Sequence, residues 1–153
     1  MHEYVTIGVD VMFVNGLPFL VTSLRGISLI TIEFLPSRTA KCLASSMEQV
    51  VRIYIRAGFI VQTSMMDMKF EKLGNMLPGI TLNTTAAQEH VGEIERKISV
   101  KKERARGTIS ILPYEILSKL MIIELMHFCM MWLNSFPVKS GISEKYSSLE
   151  LVS

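Results

Sequence analysis

Residues 89–106 read EHVGEIERKISVKKERAR. An α-helix turns by about 100° per residue, so the faces of this stretch can be laid out from Glu95. Lys102 falls at about −20° from Glu95 and Arg106 at about +20°. Val91, Ile94, Ile98 and Ala105 gather in an apolar stripe between about −40° and −100°. Arg96, Lys97, Lys101, Glu103 and Arg104 fill the remaining arc. One face packs, one is mainly basic, and a single carboxylate, Glu95, sits at their border with Lys102 and Arg106 on later turns. Gly107 is a stop signal for such a helix, and basic residues near that end suit the helix dipole. Two readings of Glu95 remain open on this stretch alone. It is either a member of a solvated charged face, paired with Lys102 or a nearby arginine, or a carboxylate that the helix delivers to a site.

The upstream residues supply strands. Residues 4–14, YVTIGVDVMFV, are almost continuous in β-formers, which suits a central strand covered on both faces. Asp10 interrupts the run. An ionised carboxylate in a buried strand needs a cation, a hydrogen-bond network or an exit to solvent. Asn15-Gly16 is a hairpin turn signal, and residues 19–24 and 27–34 read as two further strands. Residues 40–57 are helical, with Leu43, Met47, Val50, Val51 and Tyr54 at spacings of three and four, and Gly58 ends them. Residues 59–66 read as a fourth strand that runs into Asp67. The intervening helix allows this strand to pair parallel to the first. Residues 69–76 suggest a short helix, and residues 80–83 a fifth strand. Residues 84–89 lack periodicity and read as a loop before the central helix. Pro113 opens a last helix over residues 114–134, and Pro137 closes it.

The order β-β-β-α-β-α-β-α-α predicts an α/β protein with a mixed five-stranded sheet flanked by helices, on the ribonuclease-H-like plan. The core spans residues 1–137, and residues 138–153 form a polar tail expected to fray. On this plan a carboxylate on the first strand lies next to one after the fourth strand, and a later helix brings a third.

Composition narrows the classes. At 153 residues the chain is long enough for one domain with a real core. A net charge of only +2 does not announce nucleic acid, but six Lys and Arg fall between Arg96 and Arg106. Cys42 and Cys129 are far apart in apolar contexts, which reads as reduced, buried thiols. No Cys/His spacing suits zinc, and no glycine-rich phosphate loop is present. The mean hydropathy is +0.35, and residues 117–136, LSKLMIIELMHFCMMWLNSF, are long enough to span a bilayer. Lys119, Glu124 and His127 within them are expensive in hydrocarbon. A packing helix is expected instead, with His127 as a core histidine and Trp132 in the core.

Four segments then carry a resemblance. VDVMFVNGLPFLV holds Asp10 before a turn and an aromatic-aliphatic strand, SMMDMKFE holds Asp67, GEIERKISVKKERAR holds Glu95, and WLNSFP closes the last helix. In this order they resemble the integrase catalytic core of Copia-like retrotransposon polyproteins over residues 4–137. Met68 and Lys69 stand where that family has Asn-Gly-Gly. The resemblance implies a DDE triad of Asp10, Asp67 and Glu95, acting both as catalytic residues and as metal ligands. Three convergent carboxylates would hold two Mg²⁺ or Mn²⁺ ions, which suit hard oxygen donors. It also implies trimming of an element's DNA ends and their joining to target DNA, a homo-oligomer, and a nuclear location. Lys102, Arg106, Lys101, Arg96 and Lys97 would contact DNA phosphates. Two other readings compete: a non-catalytic nucleic-acid-binding remnant of the same fold, and a small membrane-associated protein anchored by residues 117–136.

Overall fold

A strand with apolar residues on both of its faces must bury both, and the first strand does so over most of its length. β1, Glu3–Val14, sends Ile7 and Val9 to one side of the sheet and Met12 and Val14 to the other. The computed structural model describes residues 3–24, 27, 29–65, 76–77, 79–83, 91–136, 146–148 and 150, with the backbone alone at 65, 82–83, 91–95, 97–98 and 101. The remaining elements are β2 (Leu17–Leu24), β3 (Ile30–Phe34), α1 (Ala40–Arg56), β4 (Phe59–Met65), β5 (Thr81–Asn83), α2 (Val91–Ser110) and α3 (Lys119–Asn134). They form an α/β structure around a mixed sheet of order β3-β2-β1-β4-β5, with β1 at its centre. β1 pairs antiparallel with β2 and parallel with β4. The expected helix over residues 69–76 lies outside the described residues except for Met76, and the loop over residues 84–89 lies outside them entirely.

The hairpin between β1 and β2 turns on Asn15 and Gly16, both at positive φ (49° and 78°), as a two-residue turn matched to strand twist requires. Tyr54, Met47 and Val50 of α1 pack on Ile7, Val9, Leu20 and Leu24. On the other face, Ala105 and Ile109 of α2 and Ile122, Met126, Cys129 and Met130 of α3 pack on Met12, Val14, Phe19 and Val21. β4 carries a bulge: Val61 pairs with Val5 but Thr63 pairs with Thr6, so Gln62 is an extra residue. Directly opposed residues share a face. Ser64, opposite Ile7, therefore returns to the α1 side three residues after Val61, and the alternation of β4 is inverted beyond the bulge.

Several boundaries differ from expectation. α2 does not stop at Gly107 but runs on to Ser110. Ile109 repeats the buried position of Ala105 one turn later, and that packing outweighs the weak helix propensity of a single glycine. α3 begins at Lys119, not after Pro113, because the Ser118 hydroxyl accepts from Met121 N at 3.2 Å and caps the helix there. It spans 16 residues, and no helix among the described residues is long and apolar enough to cross a membrane. His127 and Trp132 are exposed, not in the core; Trp132 is 55% exposed and contacts the rings of Phe128 and Phe136. In the tail, Ser148 is buried and its hydroxyl donates to Ile27 O at 2.9 Å, so that part is docked.

Two polar devices join the layers. Asn134, buried at the end of α3, accepts from Ile30 N at 3.0 Å and donates to Ile30 O at 2.7 Å. Replacing it by leucine leaves two backbone groups without partners, and urea denaturation should register a loss of about 2–4 kcal/mol. On the α1 side, Tyr54 Oη and Thr22 Oγ1 are hydrogen-bonded at 3.0 Å, and Thr22 is in turn bonded to Thr31. Burial pushes the Tyr54 phenol up to about 12, against the opposing effect of these hydroxyls. A phenol raised in the folded state favours folding fully below its unfolded value near 10, and that contribution is lost as pH rises towards about 12. Stability should therefore fall across this window in the native protein. Tyr54→Phe should remove the Tyr54 component of that decline while costing about 1 kcal/mol at neutral pH.

Candidate functional site

Asp10 occupies the middle of the central strand, opposite Val21 of β2. By alternation it shares the face of Met12 and Val14, the side that α2 and α3 cover. Its two oxygens are both engaged. Oδ1 accepts from the backbone N–H of Val11 at 2.8 Å. Oδ2 accepts a short, charge-assisted hydrogen bond from the Lys102 ammonium. The Lys102 side chain is largely covered, at 19% exposure, while that of Asp10 keeps 41%.

The placement of α2 makes this contact possible. Ala105 and Ile109 anchor the helix to the sheet. Arg106, one turn beyond Lys102, donates from Nη2 to Phe13 O at 3.1 Å. Lys102 and Arg106 thus grip β1 at two points three residues apart. The apolar stripe deduced from Glu95 continues through Ala105, and the adjoining Lys102–Arg106 edge lies along β1. Arg38 sets its guanidinium 5.6 Å from the centre of the Phe13 ring, on the side of β1 away from Asp10 by the alternation of the strand.

The other site residues are distributed as follows. Glu95 lies on α2, seven residues or about 10 Å of helix axis before Lys102; its side chain is outside the described residues, as are those of Lys97 and Lys101. Arg96 is exposed. Asp67 lies outside the described residues, two positions beyond Met65, whose pairing with Gly8 is the last between β1 and β4 among the described residues. Among the described residues, no three His, Cys, Asp or Glu side chains converge as a metal site would require. The structure brings together Asp10 and Lys102, a pairing the sequence reading did not anticipate. Its only sequence signal was the physical demand that a strand carboxylate find a cation.

A second concavity lies between α2 and α3, lined by Arg104, Thr108, Phe128, Cys129 and Trp132 among others. It is mainly apolar. Burial pushes the Cys129 thiol up, and a hydrogen bond with Thr108 opposes the shift. This disfavours the thiolate, so Cys129 has the character of a packing residue.

A mixed sheet of this order, with a carboxylate on its central strand and a helix laid across it, defines a class of fold. No protein-family model matches the chain, and no curated protein matches it. Among solved structures it is similar to the catalytic core domain of BIV integrase, with a TM-score of 0.67 and 18% sequence identity over 96% of this chain and 92% of that one. The fold is that of an integrase catalytic core, the ribonuclease-H-like plan.

The Asp10–Lys102 pair is open to a double-mutant cycle. Asp10→Asn and Lys102→Met, singly and together, should give a coupling of about 1 kcal/mol in chemical denaturation. Added salt should weaken it, because Asp10 is partly exposed.

Proposed function

We propose that the chain is a polynucleotidyl transferase core of the DDE type, related to the integrases of Copia-like retrotransposons, with residues 1–137 as the working unit. The observation that carries the reading is the position of Asp10: a carboxylate on the central strand of an integrase-core fold, on the α2 side, with a cation already against it. The pairing of β4 with β1 also suits it: the described pairs run Thr6↔Thr63, Ile7↔Ser64 and Gly8↔Met65, two positions before Asp67, which itself lies outside the described residues. Glu95, on the helix that crosses β1, would complete the triad.

The described carboxylate, Asp10, fits a hard divalent cation. Asp10 offers carboxylate oxygen, the ligand type Mg²⁺ and Mn²⁺ prefer, and its Oδ2 accommodates positive charge. When bound, a pair of such ions supplies activation of the attacking oxygen and stabilisation of the leaving one in displacement at a phosphodiester. The residues of this chain would hold and orient. Asp10 is fixed by the sheet and by Val11 N–H. Arg96, Lys97, Lys101, Lys102 and Arg106 would meet DNA phosphates along α2. The substrates would be the ends of an element and its target DNA, handled by a homo-oligomer in the nucleus.

One observation favours a second reading. Both Asp10 oxygens are satisfied by the chain itself, as in a nucleic-acid-binding remnant that keeps the fold without the chemistry. End processing and strand transfer on a labelled duplex with Mn²⁺ separate the two. Under the transferase reading, Asp10→Asn, Asp67→Asn and Glu95→Gln should each reduce product at least about 100-fold, since even groups that merely support a metal ligand cost 10–100-fold. Native protein that binds the duplex and yields no product with Mn²⁺ would leave the remnant reading standing.

A further inference from the structure

Lys102 holds the oxygen that a divalent cation would need. Its ammonium donates to Asp10 Oδ2 while Val11 N–H holds Oδ1. An ammonium and a divalent cation on one carboxylate oxygen repel each other strongly at contact distance, more so in a partly covered site. Binding of either therefore weakens the hold of the other. We propose that Lys102 is an internal placeholder cation: it pairs with the Asp10 carboxylate and keeps it aimed when no metal is bound, and it is released when Asp10 takes a divalent cation. This rests on the metal-ion reading given above and deepens it.

The geometry confines the exchange to one side chain. Arg106 remains bonded to Phe13 O, and Ala105 and Ile109 remain packed, so α2 has no reason to shift. Lys102 has a flexible four-carbon stem and changes rotamer at little cost. Asp10 keeps 41% side-chain exposure, which leaves a path from the carboxylate to solvent. The freed ammonium would stand at the rim of the site, where a substrate phosphate is attracted to it. Metal loading and phosphate binding by Lys102 are then linked, and the linkage is reciprocal: whatever draws Lys102 outward also raises the affinity of Asp10 for the metal.

Two measurements test the exchange. Calorimetric titration with Mn²⁺ should show Lys102→Met binding about 5- to 10-fold more tightly than the native chain, because no ammonium has to be displaced. In the native chain, acetylation of Lys102 by an active ester, followed by mass spectrometry and normalised to the exposed Lys41, should be slow without metal and rise several-fold at saturating Mn²⁺. Asp10→Asn should give the fast rate without metal. The acetylation arm uses the native chain, so it stands even where Lys102→Met does not fold. Equal Mn²⁺ affinity in the two proteins, with Lys102 acetylation unchanged by Mn²⁺, overturns the exchange and leaves the metal-ion reading intact. Binding by Lys102→Met alone makes Lys102 a permanent block and also overturns the exchange. Absence of Mn²⁺ binding in both proteins overturns the metal-ion reading and the exchange with it.

Discussion

A carboxylate on the central strand of a sheet covered on both sides needs a cation, a hydrogen-bond network or an exit to solvent, and Asp10 has Lys102, the Val11 N–H and a partly exposed side chain. Asp10 cannot move away, because β1 is held by β2 on one side and β4 on the other. α2 therefore lies where Lys102 reaches it. The ion pair and the bond from Arg106 to Phe13 O fasten to β1 the edge of α2 that adjoins its packed residues Ala105 and Ile109. Packing and charge agree on that placement, and such agreement between levels lets a sequence specify a single structure.

The two faces of the sheet are built differently. The α1 side is closed by a buried aromatic and a hydroxyl chain, Tyr54–Thr22–Thr31, with every member satisfied. The α2–α3 side is more open, with a partly exposed carboxylate, a concavity between the helices, and a ladder of exposed rings on α3. The first face is closed, and the second keeps charged groups in reach of solvent. Ser64, buried on β4 beyond the bulge, has a hydroxyl without a partner among the described residues. It sits where the alternation of the strand is interrupted.

The succession of strands, and the parallel return of β4 beside β1 after α1, were legible because β-formers, turn residues and helical spacings all repeat at short range. Asn15-Gly16 and Gly58 are punctuation that the backbone obeys, each with a glycine at positive φ. Gly107 looks like the same punctuation and is not, because a tertiary contact by Ile109 extends the helix past it. The start of α3 was hidden for a similar reason: a proline and a serine both signal an N-terminus, and only the hydroxyl is used as a cap. Trp132 was placed inside because a helix apolar on all sides gives no clue to which side meets the sheet. Asp10 stood out as a residue that breaks a rule of its own strand. Its partner did not, since Lys102 lies 92 positions away and its pairing depends on how α2 crosses the sheet.

The amide of Asn134 treats Ile30 as a neighbouring strand would, accepting its N–H and donating to its carbonyl. β3 is an outer strand of the sheet, and an unpaired outer strand is a template on which another chain can add itself and begin an aggregate. By occupying the first outward-facing backbone pair of β3, one side chain from the end of the last helix blunts that template. One of the two outer strands is thus guarded by a residue from the end of the last helix. While α3 is still emerging from the ribosome, the guard is absent. A nascent or truncated form that lacks the end of α3 should be prone to sticking to its own copies before it is prone to unfolding.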